Sequence, residues 1–230
     1  MSKKCLKQDG EIRLFVDFDG TVTVKDVGNS IFDRFLRPEL LEQGWHNEII
    51  ESWKAGNISS RECLTYECEY SIITEKELNT ELEKFGLTPG FVETVQYCKR
   101  RGIHLMILSD GLDYYIEYIL GKYGISDVEY RANHMFFHNG SLAAEFPFVD
   151  KGCGRCGNCK RWHMDTIRQD GDVIIYVGDG FSDRYAIRSA DIIFAKHDLA
   201  DYCNKENLNF FPFNNFFDIL RYFSQHYGNV

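Results

Sequence analysis

Ile12-Arg13-Leu14-Phe15-Val16-Asp17-Phe18-Asp19-Gly20-Thr21-Val22-Thr23 is the stretch from which the fold can be read. Residues 12–18 are rich in Ile, Leu, Phe and Val with no clean alternation, as in a strand buried on both faces of a parallel sheet. The run ends in Asp17, Asp19 and Gly20. Three similar runs follow, at residues 103–108, 173–177 and 192–195. The second ends in Ser109-Asp110-Gly111 and the third in Gly178-Asp179-Gly180. Asp-Gly alone makes turns. Three acidic or hydroxyl-bearing ends on successive apolar strands instead predict a crevice at the carboxyl edge of an open sheet, where such sheets bind ligands.

Between the runs the pattern is helical. Phe91–Arg101 and residues 112–123 have amphipathic spacing, so strands alternate with helices as in a doubly wound α/β sheet. From Asp26 to about Pro89 the strands stop. Ile31, Phe32, Phe35, Leu36, Leu40 and Leu41 recur at helical intervals, and Ser59/Glu62 and Thr74/Glu77 are capping-box pairs. This segment is predicted to be a helical insertion over the strand ends. Residues 129–148 read as short extended pieces around His138-Asn139-Gly140, and residues 210–227 as a final aromatic-rich helix.

Composition narrows the function. The chain has 230 residues, 44% of them apolar, enough for one α/β core plus an insertion. A net charge of -9 argues against nucleic acid and anionic lipid. No apolar run is long enough to span a membrane, and no apolar stretch follows Met1-Ser2-Lys3-Lys4 as in a secretory signal. Eight cysteines then read as reduced thiols in the cytoplasm.

Asp17 and Asp19 lie at one strand end, and Asp179 and Asp183 at another. Four carboxylates without a close basic partner in sequence repel one another unless a cation intervenes, and an oxygen-rich site of this kind suits Mg²⁺ with a substrate phosphate. Thr21, the backbone N–H groups of Gly20 to Val22, and Ser109, expected just before a helix where free backbone N–H groups favour anions, offer donors to that phosphate. Lys160, opening an amphipathic helix, offers a positive charge, with a solvated surface lysine as the other reading.

Asp17-Phe18-Asp19-Gly20-Thr21-Val22 resembles the DxDGT[ILV] motif of haloacid-dehalogenase-type phosphatases. Ser109, Lys160 and Gly178-Asp179-Gly180-Phe181-Ser182-Asp183 resemble that family's other three motifs, in its order. The resemblance implies a Rossmann-like parallel sheet with helices on both faces and a helical cap inserted after the first strand. The core would be residues 1–26 and 87–230, and the cap residues 27–86. It implies Asp17 as nucleophile, Asp19 as general acid and base, and Ser109 and Lys160 on the phosphoryl oxygens, with Gly20, Thr21, Asp110 and Gly111 lining the phosphate site. Mg²⁺ would be held by Asp17, the main-chain carbonyl of Asp19, Asp179 and Asp183.

Within the phosphoserine-phosphatase-like branch, the cysteine-rich segment and residues 202–213 look most like the methionine-salvage phosphatases that act on 2-hydroxy-3-keto-5-methylthiopentenyl-1-phosphate. Asp26 stands where phosphoserine phosphatases carry an acid for the amino group, but Ser109-Asp110-Gly111-Leu112 replaces their usual SGGF. Phosphocholine and phosphoethanolamine phosphatases share a Ser-Asp pair there, and a phosphotransferase or mutase of the same fold is a further alternative. Loss of a motif residue would suggest a regulator, and none is lost; Asp19 argues against a dehalogenase.

Cys153, Cys156, Cys159 and His163 have a spacing that could hold Zn²⁺. The alternative is a Gly-rich loop whose thiols shape a turn or meet substrate. Arg34, Arg37 and Arg61 are candidate contacts for an anionic substrate, although a solvated face explains them as well. Trp45 and Trp53 are expected to pack rather than to face substrate.

Overall fold

The computed structural model describes residues 10–138 and 141–228. Among the described residues seven strands form one sheet: β1 (Ile12–Val16), β2 (His104–Leu112), β3 (Glu129–His138), β4 (Ser141–Glu145), β5 (Val173–Gly178), β6 (Ile192–Ala195) and β7 (Phe211–Pro212). Their order is β4-β3-β2-β1-β5-β6-β7, parallel except for the antiparallel β3–β4 pair. β1 is central, with Val16 beside Ile107 on one side and Val177 on the other.

Alternation decides which face each residue buries. Leu14, Val16, Ile107, Ile175 and Val177 enter one apolar cluster, with α6 (Phe91–Arg101), α7 (Asp113–Lys122) and α10 (Phe216–Tyr227). Phe15, Met106, Leu108, Ile174 and Tyr176 enter the other, with α8 (Lys160–Ile167) and α9 (His197–Lys205). Helices therefore cover both faces, and truncating a side chain such as Leu14 would cost about 2–5 kcal/mol. Gly102 ends α6 in the left-handed region, at φ +64, where a side chain would be strained.

Five helices lie between β1 and α6: α1 (Val27–Phe35), α2 (Pro38–Glu42), α3 (Trp45–Lys54), α4 (Ser60–Tyr70) and α5 (Glu75–Leu82). Both expected capping boxes form, at Ser59/Glu62 and Thr74/Glu77. The chain leaves and re-enters the core side by side, where Thr23 pairs with Leu87 and the Val24 N–H donates to the Gly86 carbonyl.

Two expectations change. The final helix starts at Phe216, because Phe211-Pro212 is taken up as an edge strand beside β6. Ser109 does not sit just before a helix: the extended run continues to Leu112 and α7 begins at Asp113. The hairpin joining β3 and β4 forms as expected, but Asn139-Gly140 of its turn lie outside the described residues.

Candidate active site

The polar ends of β2, β1 and β5 are adjacent and open on one cavity of about 380 Å³. Asp17, Asp19, Ser109, Asp110, Gly111, Lys160 and Asp179 line it from the core. Phe32, Ile50, Trp53, Leu64 and Glu67 line it from the inserted helices.

Asp17 is 5% exposed. Its Oδ1 accepts from the Lys160 ammonium at 2.6 Å, and the same ammonium reaches Asp183 Oδ1 at 2.6 Å and Ser182 Oγ at 3.1 Å. Burial alone would lower the Lys160 pKa, but Asp17 and Asp183 hold it above the usual lysine range. Burial, then the Asp183 charge, push Asp17 well above the usual carboxylate range despite Lys160. One ammonium therefore leaves this acidic cluster under-compensated.

Carboxylate oxygens of Asp17, Asp179 and Asp183 lie within 4.8 Å of one another. Asp179 is also raised, first by burial and then by Asp183. An all-oxygen donor set that repels itself fits a hard divalent cation such as Mg²⁺. The Asp19 carboxylate is turned elsewhere, so any share in the ion falls to its main-chain carbonyl. Its Oδ1 accepts from the Val27 and Gly28 N–H groups at 3.0 and 3.2 Å, at the start of α1. Its Oδ2 accepts from Tyr115 Oη at 2.9 Å and faces Ser109 Oγ at 3.4 Å. Burial raises the Asp19 pKa above the ordinary carboxylate value, so this group holds a proton more readily than an exposed carboxyl.

Gly20 and Thr21 move from the phosphate to its support. The Gly20 N–H donates to Thr23 Oγ1 at 3.2 Å, and Gly20 has φ +73 with Asp179 so close that a Cβ would sit 2.5 Å from Oδ2. The buried Thr21 hydroxyl donates to Asp179 Oδ1 at 2.6 Å. Asp110 remains on the cavity, and its Oδ1 accepts from the Asn158 N–H at 2.8 Å. The Gly111 N–H donates to Ser109 Oγ at 2.9 Å. Asp26 caps α1 by accepting from the Asn29 N–H, and it faces the cavity with a pKa raised to about 7, chiefly by burial and then by Asp19.

The four-ligand zinc set does not assemble. Sγ atoms of Cys153, Cys156 and Cys159 lie within 4.8 Å of one another. His163 instead uses Nε2 on Asn158 Oδ1 at 2.5 Å, in a buried pocket beside Phe148 and Trp162. One loop glycine lies against these thiols: a Cβ on Gly152 would meet Cys159 Sγ at 2.5 Å.

Arg34 pairs with Glu81, Arg37 lies over Tyr70, and neither lines the cavity, nor does Arg61. Trp45 packs on Tyr70 as expected, whereas Trp53 faces the cavity, edge-on to Phe181. Other groups at the site escaped sequence reasoning. Asn158 is 1% exposed, and its Nδ2 donates to the Ser109 and Arg131 carbonyls at 2.7 and 2.8 Å. These lie where the β2–β3 register shifts between Leu108 and Leu112, and Asn133 Nδ2 donates to the Asp110 carbonyl there at 2.7 Å. Tyr176 Oη donates to Asp183 at 2.6 Å. His197 opens α9 at φ +47, its Nδ1 3.4 Å from Asp179 Oδ2. An Asn two residues before a motif lysine was the available signal for Asn158; His197 offered none.

A family model described as haloacid dehalogenase-like hydrolase matches residues 14–188. The chain belongs to this family. Among curated proteins it is similar to a 2-hydroxy-3-keto-5-methylthiopentenyl-1-phosphate phosphatase from Brevibacillus brevis, 30% identical and covering 98% of this chain and 97% of that protein. A protein of the same name from Exiguobacterium sibiricum is 28% identical, covering 91% and 94%. Among solved structures, a substrate-bound phosphoserine phosphatase superposes with TM-score 0.68 at 18% identity, covering 94% and 99%. A cytosolic 5'-nucleotidase bound to cytidine superposes with TM-score 0.61 at 15% identity, covering 92% and 83%. These structures share the haloacid dehalogenase-like fold. With its named relatives, the family membership makes the chain a phosphomonoester hydrolase.

Proposed function

We propose that the chain hydrolyses a small-molecule phosphomonoester in a magnesium-dependent reaction that passes through an aspartyl-phosphate on Asp17. The observation that carries this reading is the placement of Asp17. It is buried, bound by Lys160 at 2.6 Å, and set on a cavity opposite apolar side chains. A phosphoryl group entering there is attacked by the Asp17 carboxylate. Ser109 Oγ and the Lys160 ammonium hold its oxygens as charge spreads in the transition state. Asp19, held by the start of α1 and by Tyr115, delivers its proton to the leaving alcohol and then takes one from the water that cleaves the acyl phosphate. Asp17, Asp179 and Asp183, with the Asp19 carbonyl, would hold Mg²⁺, and Thr21 would fix Asp179 from beneath. The ion would supply positive charge to the phosphoryl oxygens and relieve the repulsion among these carboxylates.

Residues 27–86 act in this reading as a cap over a core of residues 1–26 and 87–230, excluding water from the reacting atoms. The substrate best supported is a phosphorylated methylthio compound of the kind named for the relatives, because Phe32, Ile50, Trp53 and Leu64 offer an apolar wall to such a tail. Seven described cysteines are free thiols, as suits the cytoplasm.

The test is phosphate release with Mg²⁺ and with chelator, in the wild type and in Asp17→Asn. The panel holds 2-hydroxy-3-keto-5-methylthiopentenyl-1-phosphate, phosphoserine, phosphocholine and phosphoethanolamine, without an added acceptor. The expected result is metal-dependent release that falls at least about a thousandfold in Asp17→Asn. Full activity in the variant removes the nucleophile assignment, and release only when an acceptor alcohol is added converts the reading to a phosphotransferase.

A further inference from the structure

One wall of the cavity contradicts its own chemistry. The inserted helices line it with Phe32, Ile50, Trp53, Cys63 and Leu64, yet among them stands Glu67, a carboxylate only 6% exposed. A buried acid in an apolar wall is costly, and replacing it and its partner by packed apolar groups is commonly neutral or stabilising. Glu67 is held there by a dedicated arrangement. His46 of α3, 4% exposed, uses Nε2 on Glu67 Oε1 at 2.8 Å and Nδ1 on Asp33 Oδ1 of α1 at 2.5 Å. One imidazole thus ties three inserted helices and aims the acid. This bridge uses Glu67 Oε1 and leaves Oε2 for a ligand.

The cations around the cavity are committed elsewhere. Lys160 is engaged by Asp17 and Asp183. Lys54 leans to Glu51 at 3.7 Å and His197 to Asp179 at 3.4 Å. Asp26 and Asp198 add further negative charge to the lining.

Resting on the phosphatase reading above, we propose that Glu67 determines substrate specificity. It accepts a hydrogen bond from a donor, hydroxyl or ammonium, on the leaving alcohol; His46 is its positioning residue; and the wall rejects leaving groups that carry a second anion. A site built to accept a hydrogen bond discriminates against an analogue without the donor, because its polar atom is then left unpaired.

The test uses phosphonate analogues of alkyl phosphates, three to five carbons long and ending in methyl, hydroxyl, ammonium or carboxylate. Binding to the full chain with Mg²⁺ is measured by titration calorimetry, and phosphate release is measured from the matching phosphates. In the wild type the hydroxyl or ammonium member of one length should bind at least about tenfold more tightly than the methyl member, and the carboxylate member more weakly than methyl. Which of the two donors leads identifies the natural one. Glu67→Leu should bring the ratio to within about twofold. Glu67→Gln, which keeps the side-chain shape, should lower it at least threefold for ammonium, and His46→Gln should lower it through binding rather than through kcat. No donor preference in the wild type, or a ratio unchanged in both Glu67 variants, overturns the proposal. Donor-selective binding without phosphate release from any member leaves the Glu67 assignment standing and removes the hydrolytic reading alone.

Discussion

Replacing Asn158 by Ala tests the least visible support of the site. Its amide reaches across the register shift between β2 and β3 and satisfies the Ser109 and Arg131 carbonyls at 2.7 and 2.8 Å. In Asn158→Ala the buried Ser109 carbonyl and the part-buried Arg131 carbonyl both lose this donor, and His163 loses its partner. Each orphaned polar group costs about 1–3 kcal/mol, so the expected loss is about 3 kcal/mol. For a chain of this size that is a fall in Tm of roughly 6–12 °C. The damage should reach the chemistry, because Ser109 lies on one side of the amide and Lys160 two residues along the other. A misplacement of that kind costs about tenfold or more in kcat. Thermal melting by circular dichroism and hydrogen exchange at residues 109–112 and 131–133 measure the effect. A Tm within 2 °C of wild type with unchanged protection there would refute the reasoning.

Further expectations follow from close contacts and from two histidines. A Cβ at Gly111 would lie 1.6 Å from Tyr115 Oη and 2.9 Å from Asp19 Oδ2, so Gly111→Ala should displace the tyrosine that orients Asp19. Phosphate release should then drop by about a hundredfold, and a loss below threefold would show that Tyr115 does not orient Asp19. His163 and His46 should act oppositely on stability. Burial lowers His163 to about 4, below its unfolded value. The unfolded chain therefore takes its proton first, and stability is lost as pH falls from about 6.5 to about 4, by up to about 3 kcal/mol. His46 is raised by Glu67 and Asp33 against the effect of burial. Its contribution is present below about pH 6.5 and is lost as pH rises through its folded pKa. Urea unfolding of His163→Gln and His46→Gln at pH 4.5, 6 and 8 separates the two; a His46→Gln penalty that grows towards pH 8 would contradict the assigned sign.

How legible all this was in the sequence depends on range. The β1, β2, β5 and β6 runs showed because both faces of each strand are buried, which leaves an uninterrupted apolar stretch. The capping boxes at Ser59 and Thr74 showed because their partners stand three residues away. The grouping of Asp17, Lys160, Asp179 and Asp183 was readable through strand ends and through resemblance. The direction of each donor was not. Thr21 turned to Asp179, and His163 to Asn158 rather than to the thiols, because neighbours more than a hundred residues away or inside one irregular loop decide such choices. No sequence pattern singles out Glu67 and His46, because only the packing of α1, α3 and α4 buries them.

The central place of β1 also bears on how the chain folds. Val16 is hydrogen-bonded into the sheet between β2 and β5, whose partner residues are Ile107 and Val177. An N-terminal strand that must wait for both neighbours closes long loops before its contacts are rewarded, which is slow. At about 5–20 residues per second, the second partner leaves the ribosome roughly 8–30 s after the first strand. During that interval an apolar strand leading into Asp17 has at least one open edge, the form most prone to pairing with a wrong chain. Yield of active protein should therefore respond to synthesis rate and to chaperone supply more than to the final stability of the native state.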